Sequence, residues 1–153
     1  HIIVQIIPAF TSLFRVALKK MRKNNDFGLL ILRITIGLLM LLHGFAKFNG
    51  ALDYISGMLV EKGLPGFFSY GVLVGEILAP IAIIIGFRTR IAALIYAFNC
   101  FVAVLMAHSA DIFKMGEHGG WALELLGLYF FTALVLFFTG GGKYSASTKS
   151  NWD

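Results

Sequence analysis

Ionisable side chains stand within or at the edges of long apolar stretches of this 153-residue sequence, where a charge is costly. They are His43, Lys47, Glu76, His108 and Glu124. Lysine and histidine attract an anion or donate to a carbonyl oxygen, and a carboxylate accepts or releases a proton. These residue types predict a site that binds a small ligand or handles a proton.

Glu76 is the strongest candidate, because helical rise places it roughly 14 Å from the end of its apolar stretch. A side chain at that depth does not reach water by extending along the helix. Pro80 has no N–H, so the carbonyl of Glu76 loses its helical partner and a kink is predicted. An acid beside a freed carbonyl is suited to hold a cation, a proton or a hydrogen-bonding ligand.

His43 and Lys47 are one helical turn apart on one face of the first apolar stretch. At about 100° per residue, the same face carries Arg33, Gly37, Met40 and Gly44. We expect His43, Lys47 and Glu124 to pair with one another near one end of the helices. The predicted result is a single cavity that opens at that end, with His43, Lys47, Glu76 and Glu124 in its walls and His108 at its rim.

Each candidate also has a purely structural interpretation. Lys47 extends along the helix to a polar surface, His108 is an ordinary interfacial histidine, or the expected pairing is only a structural bridge. Four further residues are assigned structural roles: Arg33, Pro80, Arg88 and Arg90. Two histidines and a carboxylate can hold a transition metal, but no local spacing specifies such a site, so no metal is predicted.

The elements that carry these residues are four apolar stretches: Gly28 to Phe48, Phe67 to Phe87, Ile91 to Ala107 and Trp121 to Thr139. Charged residues make up 14% of the chain, against roughly 25% in soluble domains, so lipid is the better solvent. Each stretch is close to the length of about 20 residues that a helix needs to span a bilayer. None shows the alternation of polar and apolar residues that is typical of a β-barrel strand. The sequence predicts an all-α membrane protein, an up-down-up-down bundle of four transmembrane helices.

The chain divides into three segments. Residues 1–26 are basic and are predicted to form an amphipathic helix on anionic lipid. Residues 27–142 hold the four helices, with a short interfacial helix within Asn49 to Gly66. Residues 143–153 follow a run of three glycines and are predicted to be a flexible tail.

Lysine and arginine are unevenly distributed between the two ends of the helices. They concentrate before the first stretch, between the second and third, and in the tail: Arg15, Lys19, Lys20, Arg22, Lys23, Arg88, Arg90, Lys143 and Lys149. The other connections mix Lys62 and Lys114 with acidic residues. Because cytoplasmic loops carry the excess of positive charge, both termini are predicted inside and the site near the outer surface.

Redox chemistry within the chain has few candidate groups. Cys100 is the sole cysteine, so no disulfide or dithiol pair forms within the chain. The sequence contains no haem-ligand motif and no dinucleotide fingerprint, so no intrinsic cofactor is predicted. Tyr96, Asn99 and Cys100 are interpreted as packing and interhelical hydrogen-bonding residues. The predicted partners are membrane lipid and a small molecule, and no nucleic acid.

Several short motifs keep a fixed order along the four stretches. They are Leu32-Arg33 with Gly37, His43-Gly44 before Lys47, Gly63-Leu64-Pro65, Gly75-Glu76, Gly86-x-Arg88-Thr89-Arg90, Ala107-His108, Glu124, and Gly140-Gly141-Gly142 with Ser145. This pattern resembles the DoxX family of small bacterial membrane proteins. The resemblance covers about Leu29 to Ser145, nearly the whole chain except the N-terminal segment.

The resemblance implies a four-helix domain of the bacterial inner membrane and partner subunits among oxidoreductases. One relative looks like a subunit of a thiosulfate:quinone oxidoreductase, and others are associated with thiol and oxidative-stress partners. On this basis the chain is predicted to be an accessory subunit that binds a quinone or a small sulfur or thiol-related ligand, with Glu76 handling the proton. The alternative is a non-enzymatic scaffold or small-molecule-binding module. Whether it forms a homo-oligomer stays open.

The charge distribution predicts which positions a membrane-impermeant maleimide reaches in intact cells. In a Cys100→Ala background, Lys114→Cys should react from outside and Lys149→Cys should react only after permeabilisation. The opposite labelling pattern would place both termini outside.

Overall fold

The computed structural model describes residues 24–117 and 119–153. The N-terminal amphipathic helix predicted from the sequence lies almost wholly outside these residues and stays a prediction. Within the described ranges the chain forms helices α1 (Asn25–Ala46), α2 (Ala51–Glu61), α3 (Gly66–Ile85), α4 (Thr89–Ala107) and α5 (Glu124–Thr139). The short helix α2 lies in the connection where the sequence predicted one.

Three of the helices are long and apolar enough to cross a membrane: α1, α3 and α4, with 22, 20 and 19 residues. Helix α5 is apolar but has 16 residues and begins at Glu124 instead of Trp121. Trp121 stays in the preceding loop, because its indole N–H donates to the carbonyl of Ile112 at 2.7 Å and its backbone pairs with Met115. The all-helical class is confirmed for the described residues, and the up-down-up-down arrangement of four spans stays a prediction.

The long helices enclose one core. Helix α1 packs on α3, α3 on α4, α4 on α5, and α5 returns to α1. The core between them contains Ile36, Met40, Ile83, Tyr96, Ala97, Ala133 and Leu136. Large apolar side chains on the opposite faces are exposed, among them Leu42, Phe98 and Phe138. Such an extended apolar surface fits lipid better than water.

Helix α3 is irregular along its length. It begins as a 3-10 turn at Gly66–Ser69, continues as a short α-helix, widens into a π-helix at Val74–Leu78 and returns to α geometry at Ala79–Ile85. The N–H of Ala79 bonds to the carbonyl of Val74, the five-residue spacing of a π-turn. Pro80 follows at the start of the last segment, where a missing N–H is tolerated. At the predicted kink the structure therefore has a π-turn just ahead of the proline.

Two glycines of α1 allow α3 to approach closely. A Cβ atom on Gly44 would lie 2.6 Å from the carbonyl oxygen of Glu76, and one on Gly37 would lie 3.1 Å from that of Pro80. Both distances are shorter than an ordinary carbon–oxygen contact. The carbonyl of Glu76 therefore faces the backbone of α1 and is shielded from lipid.

This packing predicts opposite effects for two glycine-to-alanine substitutions. Gly44→Ala should lower the free energy of unfolding by about 1–3 kcal/mol, because the added methyl group meets backbone. Gly57→Ala in α2 is the matched control: nothing lies within 4 Å of the added atom, so helix propensity should raise stability by up to about 1 kcal/mol. Denaturant titration in detergent micelles measures both. Equal effects would contradict the close approach of α1 and α3.

Candidate functional site

An ion pair between α1 and α3 forms the centre of the predicted site. The Nζ atom of Lys47 donates to Oε1 of Glu76. The Glu76 side chain is 6% exposed and that of Lys47 is 26% exposed. Lys47 directly follows the last residue of α1, so its ammonium group covers the carboxylate from the end of that helix. Pairing with a cation lowers the cost of burying the acid.

The two carboxylate oxygens of Glu76 have different surroundings. Oε1 also lies 3.4 Å from Nδ2 of Asn99 on α4, in a second and longer hydrogen bond. Oε2 is buried and has no hydrogen-bond partner in the part of the chain that the structure describes. An ionised carboxylate offers about four acceptor positions. The acid therefore keeps acceptor capacity that these protein groups do not use.

Asn99 makes an interhelical hydrogen bond, a role that the sequence predicted, and its partner is the acid of this ion pair. Its side chain lies over Gly75, where an added Cβ would be 2.6 Å from Oδ1 of Asn99. The signal in the sequence was Gly75 itself, because a missing Cβ beside an acid leaves room for a polar group from the next helix. Tyr96, one turn before Asn99, donates its hydroxyl to the carbonyl of Ile36 at 3.2 Å. The Tyr96 hydroxyl therefore links α4 to α1.

His43 lies one turn from Lys47 and is exposed. Its ring meets Tyr129 of α5 edge to face, with the ring centroids 5.9 Å apart. Tyr129 meets Tyr96 in the same way, with a centroid distance of 6.2 Å. His43 thus begins an aromatic row that crosses the bundle beside the ion pair.

Glu124 does not join the ion pair, and Lys47 binds Glu76 instead of the expected Glu124. Glu124 is the first residue of α5, and its exposed carboxylate lies over Gly120 in the preceding loop. Glu76 is the more deeply buried acid, so it gains more from a neighbouring cation. Of the expected group, the structure brings together Lys47 and Glu76, with His43 close by on the same helix.

His108 lies just after α4 and is exposed. Its Nδ1 atom is 3.6 Å from the carboxylate of Asp111. The Asp111 carboxylate also accepts a hydrogen bond of 2.9 Å from Lys114, and this bond lowers the pKa of Asp111. His108 therefore belongs to a small surface cluster of loop residues, and a role at the rim of a cavity stays a prediction.

Arg33 holds the segment that follows α5. Its side chain lies within the bundle, with the residue 1% exposed. The guanidinium donates to the carbonyls of Gly141 and Tyr144, each at 2.9 Å, and to the hydroxyl of Ser145. The sequence predicted a flexible tail from residue 143, whereas these contacts give its first residues a defined course. Arg33 is an anchor for this segment.

Arg88 and Arg90 hold the end of the same segment against the turn between α3 and α4. Arg88 adopts a left-handed conformation with φ of 46° and lies 3.7 Å from the carboxylate of Asp153. The Nε atom of Arg90 donates to the carbonyl of Asp153 at 3.1 Å, and its backbone N–H donates to that of Trp152 at 3.2 Å. A cavity of about 250 Å³ opens beside these contacts, between residues 139–143 and 147–153. The cavity predicted at the Lys47 end stays a prediction.

The side chains that contact the Glu76 carboxylate are hydrogen-bond donors. Among residues 24–117 and 119–153, no three His, Cys, Asp or Glu side chains are grouped so as to hold a metal ion. Lysine in its charged form donates only, and the side-chain amide of Asn99 donates to the carboxylate. Cys100, the next residue, is a buried free thiol. The arrangement is suited to exchange hydrogen bonds and protons.

Comparisons with known proteins find a matching family and relatives that include an inner membrane protein. The family model described as DoxX matches residues 28–109. The inner membrane protein YqjF of Escherichia coli (strain K12) is 31% identical over 134 residues, which cover 86% of this chain and 98% of the relative. An uncharacterized protein of Haemophilus influenzae is 30% identical over 135 residues, with coverages of 86% and 97%.

A third relative carries a functional name. A protein of Bacillus subtilis (strain 168), named "Putative oxidoreductase CatD", is 29% identical over 85 residues, 56% of this chain. The match spans 63% of that relative's length. No solved structure is significantly similar to the chain.

The ion pair predicts a strongly non-additive pair of substitutions. Lys47→Met should lower the free energy of unfolding by about 3 kcal/mol, at the low end for buried pairs because Lys47 keeps some contact with solvent. The double variant Lys47→Met/Glu76→Gln should be more stable than Lys47→Met alone, because it strands no charge. Denaturant titration of Lys47→Met, Glu76→Gln and the double variant measures the coupling. Additive losses would contradict a functional ion pair.

Proposed function

Because the chain belongs to the DoxX family, we propose that it is an accessory subunit of an oxidoreductase system in the bacterial inner membrane. Its ligand is a quinone or a small sulfur or thiol-related molecule, bound at the Lys47–Glu76 pair. The name of the Bacillus relative and the inner-membrane name of the E. coli relative support this assignment. The termini lie in the cytoplasm, so the ligand site lies toward the outer surface.

The observation that carries the proposal is the incomplete use of the Glu76 carboxylate. One oxygen is bound by Lys47 and Asn99, and the other is buried with no partner among the described residues. A group buried only for packing normally has its hydrogen-bonding capacity satisfied, since an unsatisfied one costs free energy. An acid held in this state within a membrane protein is a functional candidate.

The residues fit the chemistry of a quinone headgroup. Lys47 has three N–H donors, and those not used by Glu76 are available to a carbonyl oxygen. Glu76 holds or gives up the proton that accompanies electron transfer. The exposed ring of His43, packed on Tyr129, gives an aromatic border one turn away. A bound quinone supplies the electron-carrying group, and a partner subunit exchanges electrons with it.

A structural scaffold is the second candidate, and one observation favours it. The charges of Lys47 and Glu76 neutralise each other, and the Glu76 backbone is packed against Gly44. In this alternative the pair fixes the register of α1 on α3 and binds nothing.

Ligand binding by the double variant Lys47→Met/Glu76→Gln separates the two candidates. It removes both charges together, so the fold should persist while affinity for a short-chain quinone falls at least about tenfold, because a charge-assisted donor is lost. Isothermal titration in lipid nanodiscs measures the affinity with the quinone in each redox form.

The control is Glu61→Gln, which changes an exposed acid at the end of α2 and should bind as the unaltered protein does. Photolabelling with an azidoquinone, followed by peptide mapping, should label the ends of α1 and α3 near Lys47. Unchanged affinity in the double variant would place quinone binding away from the Lys47–Glu76 pair and leave that pair with the scaffold role.

A further inference from the structure

The two oxygens of Glu76 place a chemical requirement on any ligand of this site. Oε1 already accepts from Lys47 and, at 3.4 Å, from Asn99. Oε2 accepts from no described residue. While Glu76 is ionised and paired with Lys47, its oxygens only accept hydrogen bonds, so a ligand group that meets Oε2 favourably must be a donor.

The neighbouring protein groups are poor sources of that donor. The hydroxyl of Tyr96 is given to the carbonyl of Ile36 at 3.2 Å. The amide of Asn99 is directed to Oε1, and Gly75 has no side chain. The thiol of Cys100 is buried and is a weak donor in any case. Among the described residues, these neighbours leave Oε2 open to a hydrogen-bond donor from a bound molecule.

We infer that this site selects the reduced, hydroxyl-bearing form of its ligand, a hydroquinone, over the oxidised quinone. The inference rests on the proposed function and narrows it. A hydroquinone hydroxyl donates a hydrogen bond to Oε2. A quinone carbonyl oxygen and Oε2 are both acceptors, so they form no hydrogen bond and repel each other. An S–H group donates weakly, so a thiol of similar size is the poorer ligand.

Lys47 is the more exposed member of the ion pair. Glu76 as a residue is 4% exposed, and the side chain of Lys47 is 26% exposed. Lys47 follows the end of α1 and has a flexible stem, so its ammonium can turn toward water and open the carboxylate. The hydroquinone then binds between the two groups. One of its hydroxyls donates a hydrogen bond to Oε2, and the oxygen of the same hydroxyl accepts a hydrogen bond from Nζ of Lys47.

The test compares decylubiquinol with decylubiquinone in anaerobic nanodiscs. The unaltered protein should bind the reduced form at least about tenfold more tightly, because a hydrogen bond to a charged acceptor is made by that form alone. Glu76→Gln should bring the two affinities to within about threefold, since a neutral amide both donates and accepts. Glu61→Gln should keep the full preference.

The outcomes separate the inference from the proposed function. Binding of both forms with equal affinity by the unaltered protein would overturn the inference and leave quinone binding in place. A preference that survives in Glu76→Gln would also overturn it, because another group would then select the reduced form. Failure of both forms to bind would remove the quinone site itself. Thermal unfolding of each variant in the same nanodiscs confirms that it is folded.

Discussion

The arrangement of the bundle depends on the burial of one carboxylate inside a membrane protein. The Glu76 side chain is almost fully buried between the helices, and a charge there is unfavourable unless a cation accompanies it. Lys47 supplies that cation from the end of the neighbouring helix, and Asn99 adds a donor from a third. One acid thereby ties together α1, α3 and α4. The backbone follows this constraint, since Gly44 and Gly75 leave the space that these polar contacts require.

The apolar stretches of the sequence were sufficient to predict the helices. Their length and uniform hydrophobicity identified α1, α3 and α4 within a few residues, because lipid requires such segments and few other structures use them. The start of α5 was harder to predict. Trp121 is apolar enough to extend the stretch, but it bonds to the carbonyl of Ile112 within the loop. A local contact of this kind leaves no periodic signal.

The contacts among the candidate residues were predictable only in part. Depth singled out Glu76, and helical spacing placed His43, Gly44 and Lys47 on one face. The partner of Lys47 was not predictable, because Glu76 and Glu124 lie on different helices and only their distances in the fold distinguish them. Asn99 was expected to bond between helices, but its partner Glu76 was not predictable for the same reason, since the contact comes from Asn99 lying over Gly75. Sequence spacing predicts which residues share a face of one helix. Predicting a contact between two helices also requires knowing how each helix is rotated about its axis.

The π-turn in α3 changes which residues of that helix share a face. A π-turn contains one residue more than the α-turn that it replaces, so it shifts the angular phase of a helix by about 100°. A helical wheel drawn through Val74–Leu78 as regular α-helix would therefore misalign the residues on its two sides. In an alignment, a relative whose counterpart of α3 is regular α-helix throughout would carry a single-residue gap here. In such a relative, the residues equivalent to Glu76 and Pro80 could not both point in the directions that they have in this chain.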